Sequence, residues 1–273
     1  MRLLRKFPVV ALSGFLLLVI VAVALAAPYL ATFDPKKLDV VNRLKPPSAA
    51  HLLGTDDFGR DVLSRLIYGA RVSLEVGLAV AAVAGALGIL LGLVAGYYSH
   101  AEHLIMRIMD GLMAFPAVLL AIAIMASLGA HVGNVITALS VVYTPRTVRV
   151  VRASVLQLRE MDYTQAARAL GARDSRILLR HILPNALSPL IIQSTFNFAN
   201  AVLTEAALSF LGAGVPPEVP SWGGMLAEGR QYIRQAPWMT LWPGLATMMT
   251  VLVLNLLGDG VRDMLDPKIR REA

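Results

Sequence analysis

Three polar side chains within one apolar stretch are the first candidates for chemistry: Asn197, Asn200 and Glu205. An ionisable residue in such a stretch indicates a functional site by default, because an apolar medium makes a buried charge costly. Spacings of three and five residues place the three groups near one face of a helix, where they would share a polar cavity. The alternative interpretation is that they make structural hydrogen bonds between helices.

The other acidic and histidine residues lack the spacing of a metal site. A calcium loop needs acidic groups at alternate positions and glycine at the sixth, which Asp56, Asp57 and Asp61 in GTDDFGRD do not provide. We expect these residues to cap a helix and to fix a loop. His100 and His103 have no further ligand cluster beside them. Cysteine is absent, as is a phosphate-cradling G-x-x-x-x-G-K-S/T loop, so we predict no catalytic residue, no metal and no directly bound cofactor.

A charged insert lies between Pro145 and Pro184, where eight arginines and no lysine interrupt the apolar sequence. These arginines are not interleaved with aromatic residues that would stack on bases, which argues against nucleic-acid binding. The segment YTQAARALGARDSRILLRHILPNA combines small alanines, apolar leucines and isoleucines, and a rim of arginines. This composition indicates either a docking element for another protein or a solvated helical hairpin.

Local signals predict that the insert folds as two helices joined at Gly171. Asp162 suits a helix start, with Gln165 three residues on as an approximate capping box. Gly171 suits the left-handed position that ends a helix. Asp174 or Ser175 can cap the second helix, which we expect the proline at the end of the insert to stop.

The composition around these groups is that of a membrane protein. Of 273 residues, 56% are hydrophobic and 16% are charged, and the mean hydropathy is +0.64. These values indicate an all-α integral membrane protein. We predict six transmembrane helices, at about residues 9–30, 72–96, 111–128, 133–148, 189–211 and 240–257.

Positive charge predicts the orientation. With the N-terminus inside, the larger share of the 25 lysines and arginines lies on the inner side, which the positive-inside rule favours, so both termini would be cytoplasmic. The first apolar run is longer than the roughly 7–15 residues of a signal-peptide core. We therefore favour a retained helix over a signal peptide cleaved near Ala24-Leu25-Ala26.

These spans divide the chain into three segments. The first helix and an outer polar segment cover residues 1–71, a transmembrane core covers 72–258 and contains the insert at about 145–188, and a polar tail covers 259–273. At the end of the first segment, RDVLSRLIYGARVSL has the periodicity of a short helix lying on the membrane surface. Within the second span, three glycines four residues apart predict a smooth stripe for close approach of another helix. These are Gly88, Gly92 and Gly96.

The insert resembles the EAA loop of ABC importer permeases, whose pattern is E-A-A, three residues, Gly, nine residues and I-x-L-P. The stretch QAARALGARDSRILLRHILP departs from this pattern at Gln165, in the Glu place, and at His181, in the Ile place. The matching residues are Ala166, Ala167, Gly171, Leu183 and Pro184.

Three further stretches extend the resemblance over most of the chain, from about residue 51 to residue 270. LGTDDFGRDVLSRLIYGARVSL, TEAALSFLGAGVPPEVPSWGGML and NLLGDGVRDMLDPKIR are similar to the C-type permease subunits of dipeptide, oligopeptide and nickel importers. The resemblance implies a type I importer fold in the inner membrane, surrounded by lipid. It also implies pairing with a second, related permease, two ATPases that hold ATP and Mg²⁺, and an extracytoplasmic binding protein.

The resemblance assigns roles to the candidate residues. The insert, including Gln165 and Asp174, would enter a cleft on the ATPase, and the polar residues of the fifth span would line the translocation path. Trp222, Gly223 and Gly224 would form an outer gate or contact the binding protein, although Trp222 also suits an interfacial anchor. The substrate stays open among dipeptides, oligopeptides, glutathione, nickel chelates and sugars. The alternative functions are a secondary transporter without ATPases and a membrane scaffold.

Overall fold

The computed structural model describes residues 8–265. In this range the chain is helical and contains no strand beyond an isolated bridge between Thr55 and Asp61, which confirms the all-α prediction. The main helices are α1 (Pro8–Leu25), α2 (Val62–Tyr97), α3 (Ser99–Met113), α4 (Ala117–Leu128), α5 (Val132–Arg159), α6 (Asp162–Ala169), α7 (Leu183–Phe210), α8 (Trp222–Gly229) and α9 (Trp238–Leu265). Short helical turns lie at Ala27–Leu30, Val40–Asn42, Asp174–Arg176 and Arg230–Tyr232, and a π-helix covers Ile177–Ile182.

Three of these helices, α1, α2 and α9, are long and apolar enough to cross a membrane. The pair α3 and α4 is bent by 93° at its break and adds a fourth span if the two helices cross together. Helices α5 and α7 each have 28 residues, or about 42 Å at 1.5 Å per residue. Their polar and charged residues make both helices less hydrophobic than α1, α2 and α9. The count of six spans stays a prediction.

Several predicted boundaries are wrong because helical segments continue past them. The surface helix near residue 62 is the beginning of α2, since Asp61 caps it and neither proline nor any other break follows before Tyr97. The division at residue 71 therefore falls inside one helix. The stretch between the second and third predicted spans, residues 97–110, is mostly α3, whose apolar residues recur at helical spacing. The predicted tail is helical as far as Leu265, and residues 266–273 lie outside the described range.

The insert also begins later than predicted. Helix α5 continues through Pro145 to Arg159, so the first part of the arginine-rich segment belongs to a long helix. A proline inside a helix removes one backbone donor. Next to it, the Thr144 hydroxyl bonds the carbonyl of Ser140 at 2.7 Å, and the Thr147 hydroxyl bonds that of Tyr143 at 3.2 Å.

Helices α2 and α5 form the most extensive contact of the bundle. A Cβ at Gly92 would lie 2.6 Å from Cβ of Val151, and one at Gly96 would lie 2.5 Å from Cβ of Val155. Gly88 faces Thr147 one turn away in the same manner. The predicted glycine stripe is therefore confirmed, and it brings the backbone of α2 directly against α5.

Helix α7 lies at the centre of the remaining contacts. It packs against α2, α5, α8 and α9, whereas α1 packs against α2 and α9. The polar residues of α7 thus face several neighbours at once. Their positions along α7 decide which ones are buried and which one reaches a cavity.

Candidate functional site

Helix α6 ends in a Schellman motif built on Gly171. The amide of Ala172 donates to the carbonyl of Ala167 at 3.0 Å, and the amide of Gly171 donates to that of Arg168 at 3.0 Å. Gly171 has φ +80°, the left-handed conformation that glycine adopts without strain. The structure thus has a helix–glycine–helix turn at the predicted place, and its role as a coupling loop stays a prediction. We call residues 160–184 the Gly171 hairpin.

The start of this hairpin differs from the prediction. The N-cap of α6 is Met161, and Asp162 is the first helical residue without a capping bond. The predicted capping box is wrong because the Gln165 side chain points to the preceding turn, where its Nε2 donates to the carbonyl of Arg159 at 2.9 Å. The side-chain amide of glutamine can donate this hydrogen bond, whereas the ionised carboxylate of a glutamate at the same position could only accept one. Gln165, the departure from the EAA pattern, thus has a structural use here.

The second half of the hairpin runs into α7 without a stop. The N-cap before Asp174 is Arg173, so neither Asp174 nor Ser175 is the cap. The π-helix then leads directly into α7, whose first turn contains Pro184. The expectation that Pro184 ends a helix is wrong, because the first turn of a helix tolerates a residue without an N–H. The hairpin and α7 therefore form one continuous segment.

Buried apolar contacts hold the base of the hairpin against α2 and α5. Ile177 and Ile182 are fully buried and pack with Val151, Val155 and Leu93, and Ala167 and Leu178 lie at the edge of this cluster. The cluster contributes on the order of 1.5–3 kcal/mol for each fully buried aliphatic side chain. This packing fixes the position of the hairpin on α2 and α5.

Polar bonds add a second attachment at the end of α2. The Tyr97 hydroxyl donates to Oδ1 of Asp174 at 2.6 Å, and the Arg168 guanidinium lies 5.7 Å from the centre of the Tyr97 ring. Nη1 of Arg159 donates to the carbonyl of Gly96 at 3.0 Å. The turn of the hairpin is thus tied to α2 on one side and continuous with α7 on the other.

The outer side of the hairpin presents apolar groups to solvent. Leu170, next to Gly171, is 88% exposed. Met161, Tyr163 and Leu179 are also exposed, as is Ala166, while Ala167 is half-buried. A firmly held element with uncovered leucines is typical of a docking surface.

The polar residues of α7 do not share one cavity. Glu205 is fully buried, and its carboxylate accepts from the hydroxyls of Ser73 at 3.1 Å and Ser209 at 2.9 Å. Asn197 is equally buried and donates to the Thr147 hydroxyl at 2.9 Å. These bonds match the alternative of interhelical hydrogen bonding. Asn200 lines a cavity, and the role of all three in a translocation path stays a prediction.

Trp222 and its neighbouring glycines lie inside the bundle. Trp222 is 3% exposed, and its Nε1 donates to the carbonyl of Leu66 at 3.0 Å. Gly223 lies against α7, where a Cβ would come within 2.6 Å of Cα of Ala206. The amide of Gly224 donates to the Ser221 hydroxyl that caps α8. In this structure Trp222 and Gly223 join α2, α7 and α8 and present no surface to another protein; a gate role stays a prediction.

An ion-pair network joins the loop before α2 to α8. Arg60 Nη2 lies 2.9 Å from Oε2 of Glu228, Arg65 Nη1 lies 2.6 Å from the same oxygen, and both arginines also bond Asp56. The oxygens of Asp56, Asp57 and Glu228 lie within 4.8 Å of one another. The two guanidinium groups supply the positive charge that a metal would bring. Burial, with Asp56 and Glu228 nearby, raises the pKa of Asp57.

The loop acids cap α2 and fix the loop, as expected. The Asp61 carboxylate accepts from the amide of Ser64 at 2.8 Å and caps α2. Oδ1 of Asp56 accepts from the amides of Phe58 and Arg60 at 2.8 Å each.

A cavity of about 320 Å³ opens at the bend between α3 and α4. Its polar lining comes from Tyr143, Arg146 and Asn200, and its apolar lining includes Met113 and Phe115. Sequence reasoning missed Arg146, which it counted with the arginines of the insert. A signal was available, since residue 146 lies within the predicted fourth span, and an ionisable residue in a span marks a functional site.

The comparisons with known proteins agree with this architecture. The family model described as binding-protein-dependent transport system inner membrane component matches residues 88–271. The model of the N-terminal TM domain of oligopeptide transport permease C matches residues 1–47. Together the two models cover most of the chain.

Two relatives and one solved structure extend the likeness. The chain is 52% identical over 257 residues to a Brucella abortus protein named as a peptide transport system permease, covering 94% of this chain and 87% of that one. It is 48% identical over 253 residues to the dipeptide transport system permease protein DppC of Alkalihalophilus pseudofirmus, covering 92% and 83%. The inward-facing MetNI methionine ABC transporter is similar with a TM-score of 0.61 at 19% identity, covering 74% of this chain and 96% of that chain, which shows the fold alone. The chain therefore belongs to the family of inner-membrane permease subunits of binding-protein-dependent ABC importers.

Proposed function

We propose that this permease is one of two related subunits of an ATP-driven peptide importer, and that the Gly171 hairpin receives an ATPase subunit. The names of the two relatives support peptides as the substrate class. The coverage of more than nine-tenths of this chain in both comparisons supports an equivalent role for the whole subunit.

The uncovered apolar tip of the hairpin is the observation that carries the docking proposal. An exposed leucine forgoes roughly 1.5–3 kcal/mol that burial would provide. Leu170 stands at the turn, next to Gly171, and Leu179 is exposed on the second helix. An apolar cleft on a partner would bury these groups, and an acidic rim on that cleft would face Arg168, Arg173 and Arg176.

The attachments of the hairpin suit it to transmit movement. Its first helix follows α5 after a short turn at Glu160 and Met161, and its second half continues into α7. The bond from Tyr97 to Asp174 adds α2. A displacement of the hairpin by ATP-driven closure of the partners would therefore reach α2, α5 and α7 together, since these three helices pack on one another.

The same proposal assigns the remaining partners and the orientation. The ATPases would hold ATP and Mg²⁺, a second permease would complete the translocation path, and an extracytoplasmic binding protein would deliver the solute. The excess of lysine and arginine on the hairpin side supports cytoplasmic termini. Membrane lipid would cover exposed apolar side chains such as Leu18, Leu78 and Leu90.

Co-purification with the ATPases tests the docking proposal directly. We expect Leu170→Asp to reduce the ATPase recovered with the permease by about tenfold or more, because a charge would replace an apolar contact. Val41→Asp is a matched control, since Val41 is 84% exposed but lies in the loop before α2. Equal recovery with both variants would place the ATPase contact elsewhere.

Uptake by the reconstituted complex tests the substrate class. Hydrolysis of ATP would be measured with the binding protein and dipeptides, oligopeptides, glutathione, a nickel chelate or a sugar. We expect peptides to stimulate hydrolysis and to be taken up only with ATP. Uptake that a proton gradient drives without any ATPase would instead show a secondary transporter.

A further inference from the structure

The cavity at the bend between α3 and α4 contains one charged group among its lining residues in the described range, Arg146. Its other walls are mostly apolar, including Leu112, Phe115 and Leu120. The volume of about 320 Å³ falls in the range of roughly 300–1,000 Å³ that small-molecule sites occupy. A single cation among these walls favours a ligand that brings one negative charge.

Arg146 is the first of three arginines on successive turns of α5, and it differs from the other two. Arg149 pairs with Asp110 of α3 at 2.6 Å, and Arg152 pairs with Glu102 of α3, its Nε at 3.0 Å. Within residues 8–265, Arg146 forms no ion pair. The reason lies in α3 and α4, which supply apolar residues rather than a carboxylate beside it.

The position of Arg146 along α5 separates it from both ends of the helix. It lies 14 residues after Val132 and 13 before Arg159, or about 20 Å from each end at 1.5 Å per residue. Because Arg146 lines the cavity between α3, α4 and α7, an anion that pairs with it has to enter the protein there. The expected counter-anion is therefore one that travels through the protein.

We propose that Arg146 binds the carboxylate of the solute in transit, and specifically the C-terminal carboxylate of a peptide. This assignment rests on the proposed peptide specificity. Every unmodified peptide has a C-terminal carboxylate whatever its side chains, and a guanidinium binds a carboxylate through two parallel N–H donors. The mostly apolar walls would tolerate different side chains, and Asn200 and the Tyr143 hydroxyl, which bonds Thr204 at 2.7 Å, would lie beside the bound group.

The test uses the full complex with its partner permease, ATPases and binding protein, reconstituted in neutral phosphatidylcholine. Initial uptake of alanyl-alanine is compared for the wild type, Arg146→Gln and Arg146→Lys, with basal ATP hydrolysis as the second measurement. We expect Arg146→Gln to lower uptake about tenfold, in line with the loss of a hydrogen bond to a charged group. Arg146→Lys should retain part of the uptake, because its ammonium keeps the positive charge but not the two parallel N–H donors.

Arg149→Gln is the matched control on the same helix, because its partner Asp110 is internal to the chain. We expect it to keep uptake near the wild-type value. A second set of membranes containing phosphatidylglycerol separates the solute from a lipid as the source of the anion. The effect of Arg146→Gln should be the same in both membranes.

Three results would overturn the assignment: unchanged uptake by Arg146→Gln, an equal defect in Arg146→Lys, or a defect that appears only with phosphatidylglycerol. Each would be seen against a wild-type complex that takes up alanyl-alanine normally. Absence of peptide uptake by the wild type would instead contradict the proposed peptide specificity, and the assignment of Arg146 with it.

Discussion

The hydroxyl of Tyr97, the last residue of α2, donates a hydrogen bond of 2.6 Å to Oδ1 of Asp174, just after the Gly171 turn. The two residues are 77 positions apart, so the bond connects a long spanning helix to the segment that we expect to contact the ATPase. It gives α2 a direct attachment to the hairpin beside the apolar packing of Ile177 and Ile182.

Removal of this hydrogen bond should reduce the uptake per ATP hydrolysed more than it reduces the free energy of unfolding. The Asp174 side chain is exposed and that of Tyr97 is half-buried, so we expect Tyr97→Phe to change the free energy of unfolding by only about 1 kcal/mol. Uptake per ATP hydrolysed should fall by roughly twofold to fivefold. Tyr98→Phe serves as the control, since its ring packs edge-on against Tyr97. An unchanged ratio in Tyr97→Phe would show that the hydrogen bond does not contribute to coupling.

The left-handed conformation of Gly171 predicts opposite results for two substitutions. No atom lies within 4 Å of a Cβ there, so the effect is conformational and not steric. An ordinary residue in the left-handed conformation costs roughly 1–2 kcal/mol of stability. Gly171→Val should lower the free energy of unfolding by more than this amount, whereas Gly171→Asn should be tolerated. We expect the ATPase recovered with the permease to fall several-fold for valine and to stay near wild type for asparagine. Equal recovery would mean that docking does not need this turn.

The contact between Gly92 and Val151 predicts a loss of stability on adding one methyl group. Gly92→Ala would place Cβ 2.6 Å from Cβ of Val151, and such overpacking costs about 1–3 kcal/mol. Gly111→Ala is the matched control, because nothing lies within 4 Å of its Cβ and alanine favours a helix by up to about 1 kcal/mol. Thermal unfolding in detergent should show a lower midpoint for the first variant alone. A similar midpoint for both would contradict the close packing of α2 on α5.

The raised pKa of Asp57 predicts a pH-dependent gain in stability for Asp57→Asn. Its folded pKa lies above its unfolded value of 3.8 because burial disfavours the charge. At a pH between these two pKa values, folding is therefore accompanied by proton uptake. At a pH above both values, the ionised Asp57 carboxylate lowers the free energy of unfolding. The variant should melt at a higher temperature than the wild type at pH 7, and the difference should disappear below pH of about 3.8. If the difference in melting temperature grew toward acid pH, the prediction would be wrong.

The buried bonds of Glu205 predict a structural role that its substitution can separate from transport. Glu205→Ala would leave the hydroxyls of Ser73 and Ser209 without their partner, at about 1–3 kcal/mol for each buried unsatisfied group. Glu205→Gln should recover part of this loss. We expect the thermal midpoint to fall for alanine more than for glutamine, with uptake following the amount of folded protein. Reduced uptake by Glu205→Gln at an unchanged midpoint would favour a place in the translocation path.

Helical periodicity and glycine spacing allowed much of the fold to be predicted. The all-α class, the stripe of Gly88, Gly92 and Gly96, and the turn at Gly171 all depend on local sequence, and the structure confirms each of them. Helix ends were predicted less well. Pro184 was predicted to stop a helix, but a proline is tolerated at a first turn, and the predicted end of the fourth span at residue 148 lies inside α5.

The sequence by itself determined the membrane character, the helix–glycine–helix hairpin and the family, because apolar composition and short-range spacing are properties of neighbouring residues. Tertiary structure decided which polar residues are buried and which are available. Glu205 and Arg146 both lie within long helices, but Glu205 is buried and bonds Ser73 across a helix contact, while Arg146 is exposed and meets no carboxylate within the described residues. That difference depends on residues distant in the chain, since the partners of a side chain are set by the packing of whole helices.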